Sequence, residues 1–307
     1  MRRTLACAAV GLLVLAPVLR GQAPGRAEPG TVVIVTTSDV EAFDEAIEGL
    51  RHGLGPGAKV TLVDLAGKPS DLAGRLGGKD VRLLISVGNN ALVAAAQFGT
   101  APILATMVLG ADLKSSGLRP PSGAVVLDLA VGDVLSGLSK VFPGKTRVGM
   151  IRNPEVSPGI PSLLMLEARA AGINLKIVDC PRPEHLLQSF RSLQGTVDFV
   201  LCPPDGTLYN GTTVKPLILA SLESQLPVVG FSAGFVRAGA AAGVYPDYLE
   251  TGIQAGELAR KYLAGAAALS IESPRKIRVA ANQHVARLLG LRLTQKSGSD
   301  SGIVVLE

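Results

Sequence analysis

The residues whose types and spacing come nearest to chemistry are Gly230-Phe231-Ser232-Ala233-Gly234. They match G-x-S-x-G, the pattern that raises a nucleophilic serine on a turn between a strand and a helix. Asp247 and His284 follow in the Ser, Asp, His order of that hydrolase class, so a secreted serine hydrolase using Ser232 is one reading of the chain. The arrangement requires a helix straight after the serine. Phe235-Val236-Arg237-Ala238-Gly239 reads instead as a glycine-broken stretch, and no H-G-G-G-type oxyanion loop occurs. With 36 glycines in 307 residues, such a match also arises readily by chance. No catalytic residue is assigned, and the chain is expected not to be an enzyme.

Other motifs carry less. Gly144-Lys145-Thr146 ends like a phosphate loop, but Ser139 stands where its first glycine must be, and the segment precedes a strand. The glycines of 53–58 have a loose dinucleotide spacing, yet Pro56 removes a needed N–H donor. His52, His185 and His284 have no Cys or His at ligand spacing, so neither a metal site nor a cofactor is expected. Cys180 and Cys202 each end an expected strand just before proline. They are either a bridge or buried free thiols, and strands two apart in one sheet put them beyond disulfide reach. Asn210-Gly211-Thr212 has the form of a glycosylation sequon and, more simply, of an Asn-Gly turn.

The elements that position these residues repeat a simple unit. Strands are expected at 32–35, 59–64, 81–87, 103–106 and 124–129, with helices at 40–54, from 70, and at 90–98 between them. The pattern restarts with a helix at 131–142. Strands follow at 147–151, 175–179, 197–202 and 227–231, with helices at 162–171, 184–193 and 213–224. A helix at 249–263, a short strand at 277–280 and a helix at 283–289 complete it. The strands are continuous apolar runs, as in parallel sheets covered on both faces. The fold class is therefore α/β, with two doubly wound parallel-sheet lobes. Ligands of such sheets sit beyond the carboxyl ends of the strands.

Arg2 and Arg3 precede an apolar run from Leu5 to Leu19, and small residues follow, as in a secretory signal expected over 1–27. Fifteen apolar residues fall short of the roughly 20 that span a bilayer. The full chain is +5, with 30 basic and 25 acidic residues. Four of the arginines lie in the signal and no acid does, so the remainder carries 26 against 25, or +1. Without a basic run and with only 4% aromatic residues, no nucleic-acid partner is expected.

The order of motifs resembles the periplasmic substrate-binding proteins of ABC transporters with the type I two-lobe fold, in the branch that includes tryptophan and tyrosine binders. The resemblance rests on VRLLISVGNNA at 81–91, APILATMV at 101–108, KTRVGMIRNPE at 145–155 and VDFVLCPPDGT at 197–207. It is completed by LPVVGFSAGFVRAGAAAG at 226–243 and YPDYLETGIQAGELARKYL at 245–263. It implies two lobes joined by three hinge crossovers, near Asp128-Leu129, Gly243–Tyr245 and Leu269–Ser273, closing over one small molecule. Lobe 1 would take 28–129 and 245–269, lobe 2 would take 130–244 and 270–294, and 295–307 would be a loose tail. By the same resemblance Ser38, Asn89, Asn90 and Thr106 would face the ligand from lobe 1, and Asn153, Ser157, Asp205 and Ser232 from lobe 2. Asn89 and Asn90 open a helix, which suits a carboxylate, and Asp205 suits an ammonium group. Relatives tend to carry Asp where this chain has Ala233 and Gly234, so fewer partners remain for an ammonium. Aromatic platforms are few: Phe43, Tyr209, Phe231, Phe235 and Tyr245. The implied protein is a secreted, periplasmic monomer that hands an amino acid or related small carboxylate to a membrane permease. An extracytoplasmic sensor of the same fold stays open beside it.

Overall fold

The structure is a computed structural model that describes residues 31–37, 40–66, 71–78, 80–99, 101–114, 119–156, 160–266, 268–291 and 303–306. The expected signal segment, Ser38 and Ser157 lie outside the described residues. In chain order the first elements are β1 (Thr31–Thr36), α1 (Glu41–Leu54), β2 (Val60–Asp64), α2 (Leu72–Leu76), β3 (Val81–Val87), α3 (Asn89–Gln97), β4 (Ile103–Thr106) and β5 (Gly123–Val125). Next come α4 (Val131–Val141), β6 (Arg147–Arg152), α5 (Ile160–Ala170), β7 (Asn174–Asp179), α6 (Leu186–Arg191), β8 (Phe199–Leu201), α7 (Val214–Glu223) and β9 (Val228–Gly230). The last are α8 (Ala233–Arg237), β10 (Ala242–Pro246), α9 (Tyr248–Leu263), β11 (Ile271–Glu272), β12 (Ile277–Asn282), α10 (Gln283–Leu288) and β13 (Ile303–Leu306).

Two sheets result, in the orders β11-β5-β4-β3-β1-β2 and β13-β12-β10-β9-β8-β6-β7. All pairings are parallel except β10 with β12. The central strands are apolar on both faces because both faces are covered. In β1, Val32 and Ile34 join the core with α1 and α9, while Val33 and Val35 join the core with α2 and α3. Lobe 2 repeats this, with α6 and α7 on one face and α4, α5 and α10 on the other.

Helices α1 and α9 meet backbone to backbone, which the apolar pattern alone does not reveal. Gly49 and Gly53 on α1 face Gly252 and Gly256 on α9. A methyl group on Gly49 would land on the Leu249 carbonyl oxygen, and one on Gly252 on that of Ala46. Only residues without Cβ permit so close an approach.

The crossovers differ in place from the sequence expectation. The segment 126–130 carries the chain from β5 to α4. The second lies at Asp247 rather than at Gly243–Tyr245, because Ala242–Pro246 is a full strand of lobe 2, paired to β9 and β12. Gly243 and Pro246 disguise it as a turn. Gly243 is needed because a Cβ there would meet Val236 Cγ2 at 2.6 Å. The third lies at 273–276, since Ile271–Glu272 still pairs with β5 in lobe 1. Residues 303–306, expected in a loose tail, form a strand beside β12.

Candidate functional site

In each sheet the two strands of one neighbouring pair lead away from each other along the sheet through helices on opposite faces, and the crevice beyond such a pair is where α/β sheets take ligands. In lobe 1 the pair is β1 and β3: α1 packs on one face, α3 on the other. In lobe 2 it is β6 and β8, followed by α5 and α7 on opposite faces. The carboxyl ends of the two sheets face each other, because the first turn of α1 meets α8. Arg237 donates to Glu41 at 2.9 Å, and Val236 shares a buried cluster with Ala42 and Phe43.

On the lobe 1 side the polar groups are uncharged. Thr106 is fully buried at the end of β4, its Oγ1 without a partner among the described residues, and Met107 then turns into the left-handed region at φ 57°. Thr36 Oγ1 and Ser86 Oγ are likewise buried and without partners among the described residues. The register sets Ser86 beside Val35 and Ala105, and Thr106 beside Val87. Asn89 and Asn90 are exposed in the first turn of α3. Gly88 precedes them at φ 88°, under the Phe43 ring, which a Cβ would strike at 2.5 Å. The first turn of α3 therefore offers free N–H groups beside buried hydroxyls, a setting for an anionic or hydrogen-bonding group.

On the lobe 2 side a carboxylate is held in a rigid loop. Asp205, 3% exposed, accepts at Oδ1 from Thr207 N (2.8 Å), Thr207 Oγ1 (2.6 Å) and Leu208 N (3.2 Å), while its buried Oδ2 has no partner among the described residues. Asn153 Nδ2 donates to Thr207 Oγ1 at 3.1 Å, and Asn153 Oδ1 accepts from Glu155 N. Thr207 thus ties the end of β6 to the loop after β8. Tyr209 braces this loop from below: its N–H donates to the Asp205 carbonyl and its hydroxyl to the Ile151 carbonyl, at 2.7 Å. A buried oxygen with no partner is costly unless a ligand supplies one.

Of the eight residues expected at the site, Asn89, Asn90 and Thr106 gather at the lobe 1 strand ends, Asn153 and Asp205 at those of lobe 2. Ser232 stands at the end of β9, its Oγ accepting from Phe235 N (3.1 Å) as the cap of α8. The sequence reading missed Thr36, Ser86 and Thr207. Signals existed for two: a lone serine inside the apolar run of β3, and the Asp-x-Thr spacing of an Asx turn. Of the five aromatic candidates, Tyr209, Phe235 and Tyr245 are buried, and Phe43 and Phe231 keep partial exposure.

The hydrolase reading meets one correction and one obstacle. A helix does follow the serine, contrary to expectation: α8 starts at Ala233. Ser232 itself, however, is extended at φ −157°, not on a strained turn. Asp247 is committed elsewhere, capping α9 through Glu250 N and bonding Arg278, while His284 is exposed on α10. Among the described residues no hydrogen bond joins Ser232, Asp247 and His284. Cys180 and Cys202 are free and buried. They lie after β7 and β8, with β6 between. Burial pushes the Cys202 thiol up to about 12, which removes it as a nucleophile. Burial likewise holds the Tyr209 hydroxyl well above its ordinary value. Gly144 and Gly55 are turn residues at φ 74° and 85°, as their sequence context indicates. Among the described residues no helix is long and apolar enough to cross a membrane.

Residues 32–296 match the family model for ABC transporter substrate binding proteins. The chain has no match among curated proteins. It is similar to the ligand-free, open structure of a substrate binding protein with adhesive properties from Clostridium difficile, at 18% identity and TM-score 0.67, covering 91% of this chain and 99% of that one. A conserved domain protein from Vibrio cholerae is similar at 19% identity and TM-score 0.61, with 87% and 97% covered. An ABC domain in complex with L-Trp from Streptococcus pneumonia is similar at 16% identity and TM-score 0.60, with 90% and 99% covered.

Proposed function

The chain belongs to the family of ABC transporter substrate-binding proteins, and from that membership we propose that it is a periplasmic solute-binding protein for a small zwitterion or related small carboxylate, handed to a membrane permease. The observation that carries this reading is the unpartnered, buried Oδ2 of Asp205 on one side of the lobe junction, with uncharged donors on the other. An ammonium group would complete the first and a carboxylate the second. The neighbour from Streptococcus pneumonia holds an amino acid, L-Trp, which supports the ligand class. With Phe43 and Phe231 the partly exposed rings among the five aromatic candidates, and Ala233 and Gly234 without polar side chains, a small amino acid suits the site better than a large aromatic one. The apolar run after Arg2 and Arg3 supports export.

A thermal-shift screen of amino acids, small carboxylates and nucleosides, followed by calorimetry on hits, tests the proposal. A true ligand raises Tm and is recovered chemically unchanged. If only nucleosides shift Tm, or a hit is recovered hydrolysed, the proposal falls.

A further inference from the structure

Helix α1 of lobe 1 presents Glu41 and Glu45, one turn apart, to two arginines of lobe 2. Arg237 of α8 reaches Glu41 at 2.9 Å, and Arg278 of β12 reaches Glu45 at 3.1 Å. The second guanidinium nitrogen of Arg278 bonds Asp247, also at 3.1 Å, and Asp247 is the residue at which the chain crosses between lobes. Beneath these pairs Val236, Ala233 and Ala280 of lobe 2 share one apolar cluster with Ala42, Phe43 and Ala46 of α1. Tyr245 and Tyr248, stacked at 5.6 Å on either side of the crossover, belong to it too.

Helix α1 cannot follow lobe 2 independently of its own lobe. Its glycine face lies on the backbone of α9, and α9 begins at the crossover. A pull on Glu41 and Glu45 is therefore a pull on the whole of lobe 1. The geometry points to an electrostatic latch between the lobes, in which Glu41–Arg237 and Glu45–Arg278 hold the arrangement described here and set its population without touching the ligand. None of the four side chains belongs to the proposed ligand site. Glu41 and Arg237 are 71% and 53% exposed, and Glu45 and Arg278 are both 32% exposed, so salt reaches the pairs and screens them. Pairs of this exposure shift an equilibrium by about two- to five-fold each, enough together to move a two-state balance visibly.

The test is small-angle scattering on the full chain eluting from a sizing column, without added ligand. Between about 20 mM and about 500 mM NaCl the radius of gyration of the wild type is expected to rise as the pairs are screened. Glu41→Gln with Glu45→Gln should show the larger radius already at low salt and respond no further. Glu41→Arg sets two guanidinium groups against each other and should expand the protein at low salt, and adding Arg237→Glu should return it to the wild-type radius. All four positions are at least partly exposed and Asp247 is untouched, so the cap of α9 survives. A wild-type radius that ignores salt overturns the inference. So does a double glutamine variant that tracks the wild type, or a charge swap that stays expanded. These readings need no ligand, so they stand or fall separately from the proposed cargo.

Discussion

The carboxyl ends of the two sheets do the same topological job with opposite materials. In lobe 1 the ends of β1, β3 and β4 hold Thr36, Ser86 and Thr106, three buried hydroxyls without partners among the described residues, beside the open first turn of α3. In lobe 2 the corresponding place holds one carboxylate, Asp205, clamped at Oδ1 by three donors and free at Oδ2. Hydroxyls both donate and accept and can rotate to suit, whereas a clamped carboxylate accepts in one direction only. At the proposed ligand site, lobe 2 would select and lobe 1 would adapt. The scaffolds differ in the same sense. Lobe 1 rests on a backbone-to-backbone contact between α1 and α9, while tight glycines of lobe 2 such as Gly149 face side chains, here the ends of Leu193 and Val197.

The largest effect should come from that scaffold contrast. Gly252→Ala drives a methyl group into the Ala46 carbonyl and should cost about 3 kcal/mol or more. Gly149→Ala meets Leu193 Cδ1 at 2.8 Å, a movable atom, and should cost about 1 kcal/mol. Urea unfolding of both variants decides it, and equal losses would dissolve the distinction between the lobes.

Next comes the selecting carboxylate. Asp205→Asn keeps an oxygen for the three donors of its loop and removes the charge, so affinity for an amino-acid hit should fall about 50-fold or more, with Tm unchanged or raised. Calorimetry beside thermal melting separates the cases: a lower Tm with intact affinity would make Asp205 a structural residue. The adaptable side should respond less. Thr106→Val removes one buried hydroxyl without a protein partner, so affinity should fall about five-fold while stability holds or rises. A loss as large as that of Asp205→Asn would contradict the assignment of roles.

Acid should also divide the lobes, though most weakly. The hydrogen-bonded Arg147 guanidinium holds Asp198 of lobe 2 below the ordinary carboxylate range. Its stabilisation is present above the unfolded value and lost as pH falls through the lowered folded one. Asp112 of lobe 1 is raised, chiefly by burial and further by Asp128, against the lowering effect of the Leu109 N–H. Its folded form takes up a proton first, so its contribution improves as pH falls through that raised value. Melting curves against pH should show a flatter acid limb for Asp198→Asn and a steeper one for Asp112→Asn. Parallel curves for the two variants would refute the difference.

Much of the frame was legible in the residues. Continuous apolar runs such as 32–35 and 83–85 specify buried parallel strands, since only strands covered on both faces tolerate them. The failures were local. Ala242–Pro246 hides as a strand because Gly243 and Pro246 are turn residues by type, while what makes it a strand is the packing of Val236 on Gly243 and the pairing with β12, more than thirty positions on. The helix after Ser232 was missed because glycine at 234 and 239 lowers helix propensity, which the Ser232 cap and burial of Phe235 and Val236 override.

The sequence by itself determined the α/β class, the two series of strand and helix, and the polar residues at the strand ends, because those depend on residue type and short-range spacing. Tertiary structure alone decided which of those polar atoms are left without a partner. Asp205 Oδ2, Thr36 Oγ1, Ser86 Oγ and Thr106 Oγ1 are set apart by what the rest of the chain fails to bring within hydrogen-bonding distance. The same holds for α1 on α9 and for Glu41 and Glu45 facing Arg237 and Arg278, contacts between residues some two hundred positions apart. Periodicity reports which face of an element is apolar, and not which other face it will meet.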